Sequence, residues 1–261
     1  MALLLGKGEV GIGGRPRTVV ASGVNAAFAA SLGALDTHLR CTATRPSPRA
    51  DLSRDGGSFL QSVSANTRYQ IRRSNRTYAA SGCLALTRAG SPSEAREFLD
   101  GLIALHEATW TRRRGRGAFA NPSFDAFHRA LVERGLARNE IDLLRIAAGK
   151  QVIGYLYNFR YRDRVYAYQS GFDYDGIASQ HKPGLTSHAL AIEHYRTLGI
   201  TSYDFLAGGD RYKLSLANAQ ETLAWLQAAP RRSLRGRVRM LDDNLRALAR
   251  SIRNHARATA G

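Results

Sequence analysis

Between Arg164 and Ser215 the chain reads RVYAYQSGFDYDGIASQHKPGLTSHALAIEHYRTLGITSYDFLAGGDRYKLS, and few folds accept that order of signals. Val165 to Phe172 alternates as a strand, with Tyr166, Tyr168, Ser170 and Phe172 expected on one face and Val165, Ala167, Gln169 and Gly171 on the other. Pro183-Gly184 interrupts the chain, and Leu185, Ala189 and Ile192 then recur at helical spacing until Gly199 supplies a stop. Ile200 to Leu206 is short and rich in β-formers, so it reads as a second strand. A strand, a crossover helix and a strand make a βαβ unit, which demands a parallel pair within a larger sheet. Asp204 sits inside the apolar run Tyr203-Asp204-Phe205-Leu206, where a charge needs a partner. The glycine-rich turn Ala207 to Lys213 follows at once. The polar approach Gln180-His181-Lys182-Pro183-Gly184 leads into a helix start, which can receive an anionic group such as a pyrophosphate.

Upstream of this run, Ile141 to Ala148, Gln151 to Arg160 and Arg164 to Phe172 form three strands joined by turns at Gly149-Lys150 and Arg162-Asp163, an antiparallel meander. Phe59 to Tyr78 reads as one helix carrying Arg68, Arg72, Arg73 and Arg76 with no acid among them, a face suited to phosphate or a polyanion. Gly82 to Thr87 reads as a short strand. Ser91 or Ser93 caps the next helix, with Glu94 in its first turn and Ala95, Phe98, Leu99, Leu102, Leu105 and Ala108 on an apolar stripe. His106 and Trp110 lie four apart on that helix; His106 reads either as a base or substrate contact or as a hydrogen-bonded structural histidine. Arg112 to Gly117 is a basic loop. Phe124 to Arg134 is a further helix whose His128 reads as structural, and Glu221 to Gln227 reads as a last strand.

The ends are less patterned. Val24 to Leu39 reads as a helix and Arg45-Pro46-Ser47-Pro48-Arg49 as a linker. From Arg231 to Arg257 nine arginines face only Asp242 and Asp243, and Leu234, Val238, Leu241, Leu245, Leu248 and Ile252 recur every three or four residues. That is a basic amphipathic helix, expected either to dock on the domain or to lie on an anionic membrane or nucleic acid. Three segments are therefore expected: 1–50, 51–229 and 230–261.

A net charge of +17 favours an anionic partner, although arginine far outnumbers lysine, as a GC-rich genome alone would produce. Cys41 and Cys83 form no metal or redox spacing, which points to a reduced cytoplasmic protein without a metal. No catalytic triad, zinc spacing or P-loop appears, and Gly11-Ile12-Gly13-Gly14 lacks the context of a dinucleotide fingerprint.

The block HKPGLTSHALAIEH through LGITSYDFLAGGDRYKLSL resembles the GNAT-like acyltransferase family of the CelD/BcsL type, which is FemAB-like. Its pattern is a Pro-Gly before a helix, a strand ending Asp-Phe, then Gly-Asp-x-Tyr-Lys. Segments 64–78, 105–128 and 153–173 extend the likeness, so it spans roughly residues 51 to 225. The resemblance implies an α/β (α+β) fold: a GNAT-like mixed sheet, an antiparallel meander followed by βαβ with a splayed parallel pair, and helices on both faces. Relatives carry a first lobe before the matched region, of which residues 1–50 would be a remnant plus linker.

It also implies a donor, acetyl-CoA or another acyl-CoA, and an acceptor amine or hydroxyl on a small molecule, saccharide or peptide in polysaccharide or cell-envelope biosynthesis. On this reading Lys182, Gly184 and Leu185 hold the coenzyme phosphates, while Gln169, Ser170 and Gly171 line the pantetheine. Asp204 orients or deprotonates the acceptor, Tyr212 acts as an acid at the thiolate, and Lys213 and Asp210 bind substrate or fix the loop. His106, Trp110, Tyr168 and Arg211 complete the substrate contacts. The FemAB side of the superfamily uses aminoacyl-tRNA, an alternative donor that suits the charge. A GNAT-like binding protein without turnover and a nucleic-acid-binding protein are the readings outside catalysis. The arginines at 68, 72, 73 and 76 and those of the tail would meet a membrane surface or tRNA, the former at the inner face of the membrane.

Overall fold

In a computed structural model of the chain, residues 9–10, 16–33, 37–53, 57–113, 115–175, 178, 180–208, 210–231, 237–238 and 241 are described. The strands are β1 (Glu9–Val10), β2 (Pro16–Val24), β3 (Thr37–Asp51), β4 (Leu84–Arg88), β5 (Ile141–Ala148), β6 (Gln151–Tyr161), β7 (Arg164–Phe172), β8 (Ser202–Asp204) and β9 (Ala219–Pro230). The helices are α1 (Ala26–Gly33), α2 (Ala65–Ala79), α3 (Pro92–Arg112), α4 (Pro122–Leu136), α5 (Pro183–Thr197) and α6 (Arg211–Leu216). The chain divides into two units, one of residues 1–46 with 221–261 and one of residues 47–220.

In the smaller unit the strands run in the order β1-β2-β9-β3, and Ala21, Val24 and Leu226 form its core. Asn25 starts α1 by accepting the Phe28 N–H on its side chain, but the helix ends at Gly33, and the expected helix to Leu39 is strand from Thr37. The Arg45–Arg49 segment is likewise extended within β3, since proline is compatible with strand dihedrals where it has no ladder bond to donate. Of the expected arginine-rich tail helix only residues 231, 237–238 and 241 are described, and 237, 238 and 241 are helical; the rest lies outside the described residues.

The larger unit holds the expected meander. Its strand order is β3-β8-β7-β6-β5-β4; β4 to β7 pair antiparallel, and β7 pairs β8 in parallel. Helices cover both faces. On one, Leu185, Ala189 and Ile192 of α5 pack with Leu156, Val165 and Phe172, joined by Ile71 and Tyr78 of α2. On the other, Phe98 of α3 meets Tyr155, and His128 of α4 meets Tyr157. This is the expected GNAT-like α/β arrangement.

Local chemistry explains where elements begin and end. The helix expected over Phe59–Tyr78 is broken into a single 3-10 turn at Phe59–Gln61 and α2, because Ser64 turns its hydroxyl to the Thr67 N–H and starts a new helix. Ser91, not Ser93, caps α3 by accepting the Glu94 N–H. At the end of α5, Gly199 has φ +75°, its N–H bonds Arg196, and the Ile200 N–H reaches back to Tyr195. These two bonds are a Schellman stop. The strand expected from Ile200 to Leu206 shrinks to three residues, and the polar turn expected over Ala207–Lys213 instead winds into α6 from Arg211.

The faces of β7 also differ from strict alternation. Asn158 pairs Ala167 while Tyr157 pairs Gln169, so Tyr168 is an extra residue, a β-bulge. Val165 and Phe172, an odd number apart, therefore enter the same core, while Tyr168 turns to His128. Beyond the bulge Gly171 abuts α3: a Cβ there would lie 2.4 Å from the Leu102 carbonyl oxygen.

Two consequences are measurable. Gly171→Ala pushes a backbone carbonyl off the sheet and should cost about 2–3 kcal/mol, read as a lower urea midpoint with unchanged slope. Gly90→Ala, whose Cβ would meet only the Glu94 carboxylate at 3.4 Å, should leave the midpoint nearly where it is. Second, His128 is buried between the Tyr157 and Tyr168 hydroxyls, and burial lowers its pKa to about 4, against a smaller opposing pull from Asp125. A depressed histidine contributes stability above its unfolded pKa and loses it as pH falls through the folded one. The protein should thus lose roughly 3 kcal/mol between about pH 6.5 and 4 through this group. His128→Gln should remove that part of the pH dependence in urea melts; an unchanged slope would assign it elsewhere.

Candidate active site

The cavity of the larger unit opens where the parallel pair separates. Strands β7 and β8 pair at only three positions, ending with Tyr166 opposite Asp204, yet β7 continues to Phe172. The backbone edge of Ala167 to Ser170 is left beside a cavity of about 1170 Å³. Its walls are α2 (Asn66, Tyr69, Gln70, Arg73), α3 (His106, Thr109, Trp110), the start of α5 and the inner side of α6.

Helix α5 enters this cavity by its N-terminus. Pro183 occupies the first turn, where its missing N–H costs nothing. Gly184 and Leu185 follow, with N–H groups that have no acceptor within the helix, and the Lys182 side chain caps neither. The first turn has no acid. A row of hydroxyls bolts the helix start to α2: Ser74 Oγ accepts the Lys182 N–H at 2.9 Å and bonds Thr186 Oγ1 at 2.8 Å, and Thr186 donates to Asn75 at 2.9 Å. Arg73, next to Ser74, joins Lys182, His181 and Arg211 on the cavity wall. Amide donors and cations thus line one cavity, a setting in which an anion can be bound.

On the opposite wall His106 Nδ1 lies 3.2 Å from the Ser170 carbonyl oxygen. A carbonyl only accepts, so Nδ1 carries the proton of that bond, and in the neutral ring the free lone pair is then on Nε2. That Nε2 is buried and makes no hydrogen bond among the described residues. Trp110 and Phe119 flank the ring.

Tyr212 and Lys213 come from α6. Tyr212 stacks on His188 with ring centroids 5.3 Å apart, and burial, with Asp210 beside it, pushes its pKa well up, so the phenol stays protonated. Lys213 Nζ donates to the Phe205 carbonyl at 2.9 Å and lies 3.8 Å from Asp210 Oδ2. Burial lowers its pKa, against the opposing pull of Asp210 and Asp204.

Of the residues expected from sequence, Gln169, Ser170, Lys182, Gly184, Leu185, His106, Trp110, Tyr168, Asp210, Arg211, Tyr212 and Lys213 all line this cavity. Asp204 and Gly171 are not among its lining residues. Asp204 is 4% exposed, and its Oδ1 accepts from Ser47 Oγ and from the Leu206 N–H, both at 2.7 Å. That bond holds Leu206 at φ +59° in the left-handed region, which turns the chain toward α6. Asp204 therefore builds the turn on which Lys213 rests rather than facing an acceptor. Gly171 serves the close approach to α3 rather than the cavity edge. Arg68, expected as a free cation, donates to the Leu60 carbonyl, while Arg72 and Arg76 are exposed.

Sequence reasoning missed Tyr69, Tyr174 and above all His188 as cavity residues. His188 follows Gly184 by one helical turn, so it shares that helix face; this spacing was the available signal.

Among the described residues no group of His, Cys, Asp and Glu could hold a metal ion, and no helix is long and apolar enough to cross a membrane. FemX has a similar structure, with TM-score 0.60 and 9% identity over 82% of this chain and 72% of that one. So has the C-terminal domain of a putative lysylphosphatidylglycerol synthetase from Agrobacterium fabrum, with TM-score 0.54 and 11% identity over 87% and 72%. L-PGS from Bacillus licheniformis gives TM-score 0.54 and 11% identity over 82% and 68%. At these identities the likeness is one of fold. A comparison with curated proteins finds no match. Residues 65–214, more than half of the chain and all but the outermost parts of the larger unit, match the acetyltransferase (GNAT) domain, and the protein belongs to that family.

Proposed function

We propose that the protein is an acyl-CoA-dependent N- or O-acyltransferase, with acetyl-CoA as donor. The observation that carries this reading is the meeting of a splayed strand edge with a helix start whose Gly184 and Leu185 amides have no acceptor among the described residues, in a cavity that Lys182, Arg73 and Arg211 also line. A long donor with an anionic end and an amide-bearing arm matches both halves of that wall. The donor supplies an activated carbonyl and a thiolate leaving group. The acceptor is a small molecule, saccharide or peptide amine or hydroxyl. The resemblance of residues 181–216 to the CelD/BcsL type supports work on polysaccharide or cell-envelope precursors in the cytoplasm, at the inner face of the membrane.

In this mechanism His106 Nε2 takes the proton from the acceptor as its nitrogen or oxygen bonds to the carbonyl carbon. Tyr212 donates a hydrogen bond to the departing sulfur as the carbon–sulfur bond breaks. Its raised pKa keeps the proton on the phenol, so it steadies the thiolate rather than giving the proton away; the proton held by His106 leaves to the thiolate or to water. Lys213, placed by the turn that Asp204 anchors, sets a positive charge beside the cavity and holds α6 in register.

One observation favours a second donor, aminoacyl-tRNA. Arg72 and Arg76 are exposed on the helix that carries Arg73 into the cavity wall, and together they present charge to a polyanion larger than a coenzyme.

Acetyl-CoA should raise the melting temperature saturably, by an increment equal to about 2.7 kcal/mol at a hundredfold excess over its dissociation constant, and desulfo-CoA should do the same. Lys182→Ala and Arg73→Ala should each weaken that binding about tenfold. A rise with a short RNA and none with acetyl-CoA would replace the first donor by the second. Tyr212→Phe should lower kcat about a hundredfold with donor affinity retained. A kcat equal to the unaltered protein's would remove Tyr212 from the mechanism.

A further inference from the structure

His188 is 2% exposed, lines the cavity, and has a purpose that neither packing nor the mechanism above accounts for. Its Nδ1 is 2.9 Å from the Tyr203 hydroxyl. Its Nε2 is buried with no hydrogen-bond partner among the described residues. Nδ1 is thus committed to the core, and the ring as a whole stacks against Tyr212. Leaving Nε2 unpaired is costly, and a folded domain keeps it so when something else is to fill the vacancy.

The rest of the ring's surroundings define what that could be. Phe172 and Phe205 stand edge-on to the imidazole. Burial, with a smaller push from Lys213, holds the ring neutral, its pKa lowered to about 3. A neutral imidazole among aromatic rings does not compensate a phosphate or carboxylate, but it bonds a neutral carbonyl or amide well. Gly184, one helical turn nearer the start of α5, is where an anionic group would rest. The ligand therefore carries its charge at the helix start and an uncharged polar group about one helical turn deeper, some 5 Å along the axis.

We propose that His188 Nε2 is a donor-binding contact, forming a hydrogen bond to an uncharged carbonyl or amide of the donor close to its anionic end, once the Tyr212 ring shifts to admit it. This rests on the acyltransferase reading. The amide-bearing arm of an acyl-CoA and the ester of an aminoacyl nucleotide both offer such a group near a phosphate, so both are probes. Tyr212 rides on a six-residue helix that follows Gly208, at φ +143°, and is held to the preceding turn by the Lys213 bond to Phe205.

Two variants separate the ring's two nitrogens. His188→Asn keeps a polar atom where Nδ1 meets Tyr203 and loses the one at Nε2; His188→Gln does the reverse. Binding of acetyl-CoA and of a 3′-aminoacyl ester of adenosine 5′-monophosphate would be measured by calorimetry, alongside melting temperature. The expected result is crossed: His188→Asn melts near the unaltered protein but binds its donor about tenfold more weakly, whereas His188→Gln melts lower and binds within about threefold. Whichever probe shows the effect identifies the donor. Full affinity in His188→Asn overturns the proposal, as does a loss of affinity in both variants that follows the loss of stability. If the unaltered protein binds neither probe, the acyltransferase reading falls, and this contact with it; if it binds and His188→Asn binds equally, only the contact falls.

Discussion

The site depends on one short turn. Asp204 ends β8 by drawing the Leu206 N–H onto its carboxylate while Ser47 holds the same oxygen from β3. A leucine in the left-handed region is unfavourable by about 1–2 kcal/mol, and the two hydrogen bonds offset that cost. Because β8 stops there and β7 does not, the two strands separate, and the space between them is the cavity. The same turn presents the Phe205 carbonyl to Lys213 and so orients α6, which brings Tyr212 over His188.

Behind the cavity runs a buried polar chain. Asp142, fully buried, is met by Arg88 and Arg160, and it accepts a hydrogen bond from Tyr195; Asn158 donates to that same tyrosine. Burial raises the pKa of Tyr195 and Tyr203 and lowers that of His188, so these groups stay uncharged. Neutral groups keep the interior free of unpaired charge, while the cations gather at the start of α5, where a ligand would neutralise them.

Much of this was legible in the chain. The meander followed from three alternating runs and two short turns, and α5 from Pro183, the spacing of Leu185, Ala189 and Ile192, and Gly199. Most candidate cavity residues were legible because they sit at element ends, where a βαβ unit must expose them. Asp204 was recognised as a charge needing a partner, but its partner Ser47 lies 157 residues away, and no local pattern records that pairing. The break before α2 was written in Ser62 and Ser64, but hydroxyls that cap and hydroxyls that merely face solvent look alike in sequence.

What the sequence determined by itself were the strongly patterned local choices: the three strands of the meander, the helices α3, α4 and α5, the stop at Gly199, and that the parallel pair must be joined by α5. These are set by residues within a few positions of one another, through periodicity, proline geometry and the freedom of glycine. Only the tertiary structure decided which side each side chain serves. The bulge at Tyr168 moved Phe172 into the α5 core and Tyr168 to His128, and the close approach of α3 reserved Gly171 for packing. It also placed His188 with one nitrogen bonded and one unpaired. Those assignments depend on register and on contacts between distant segments, which close only when the sheet and its helices assemble together.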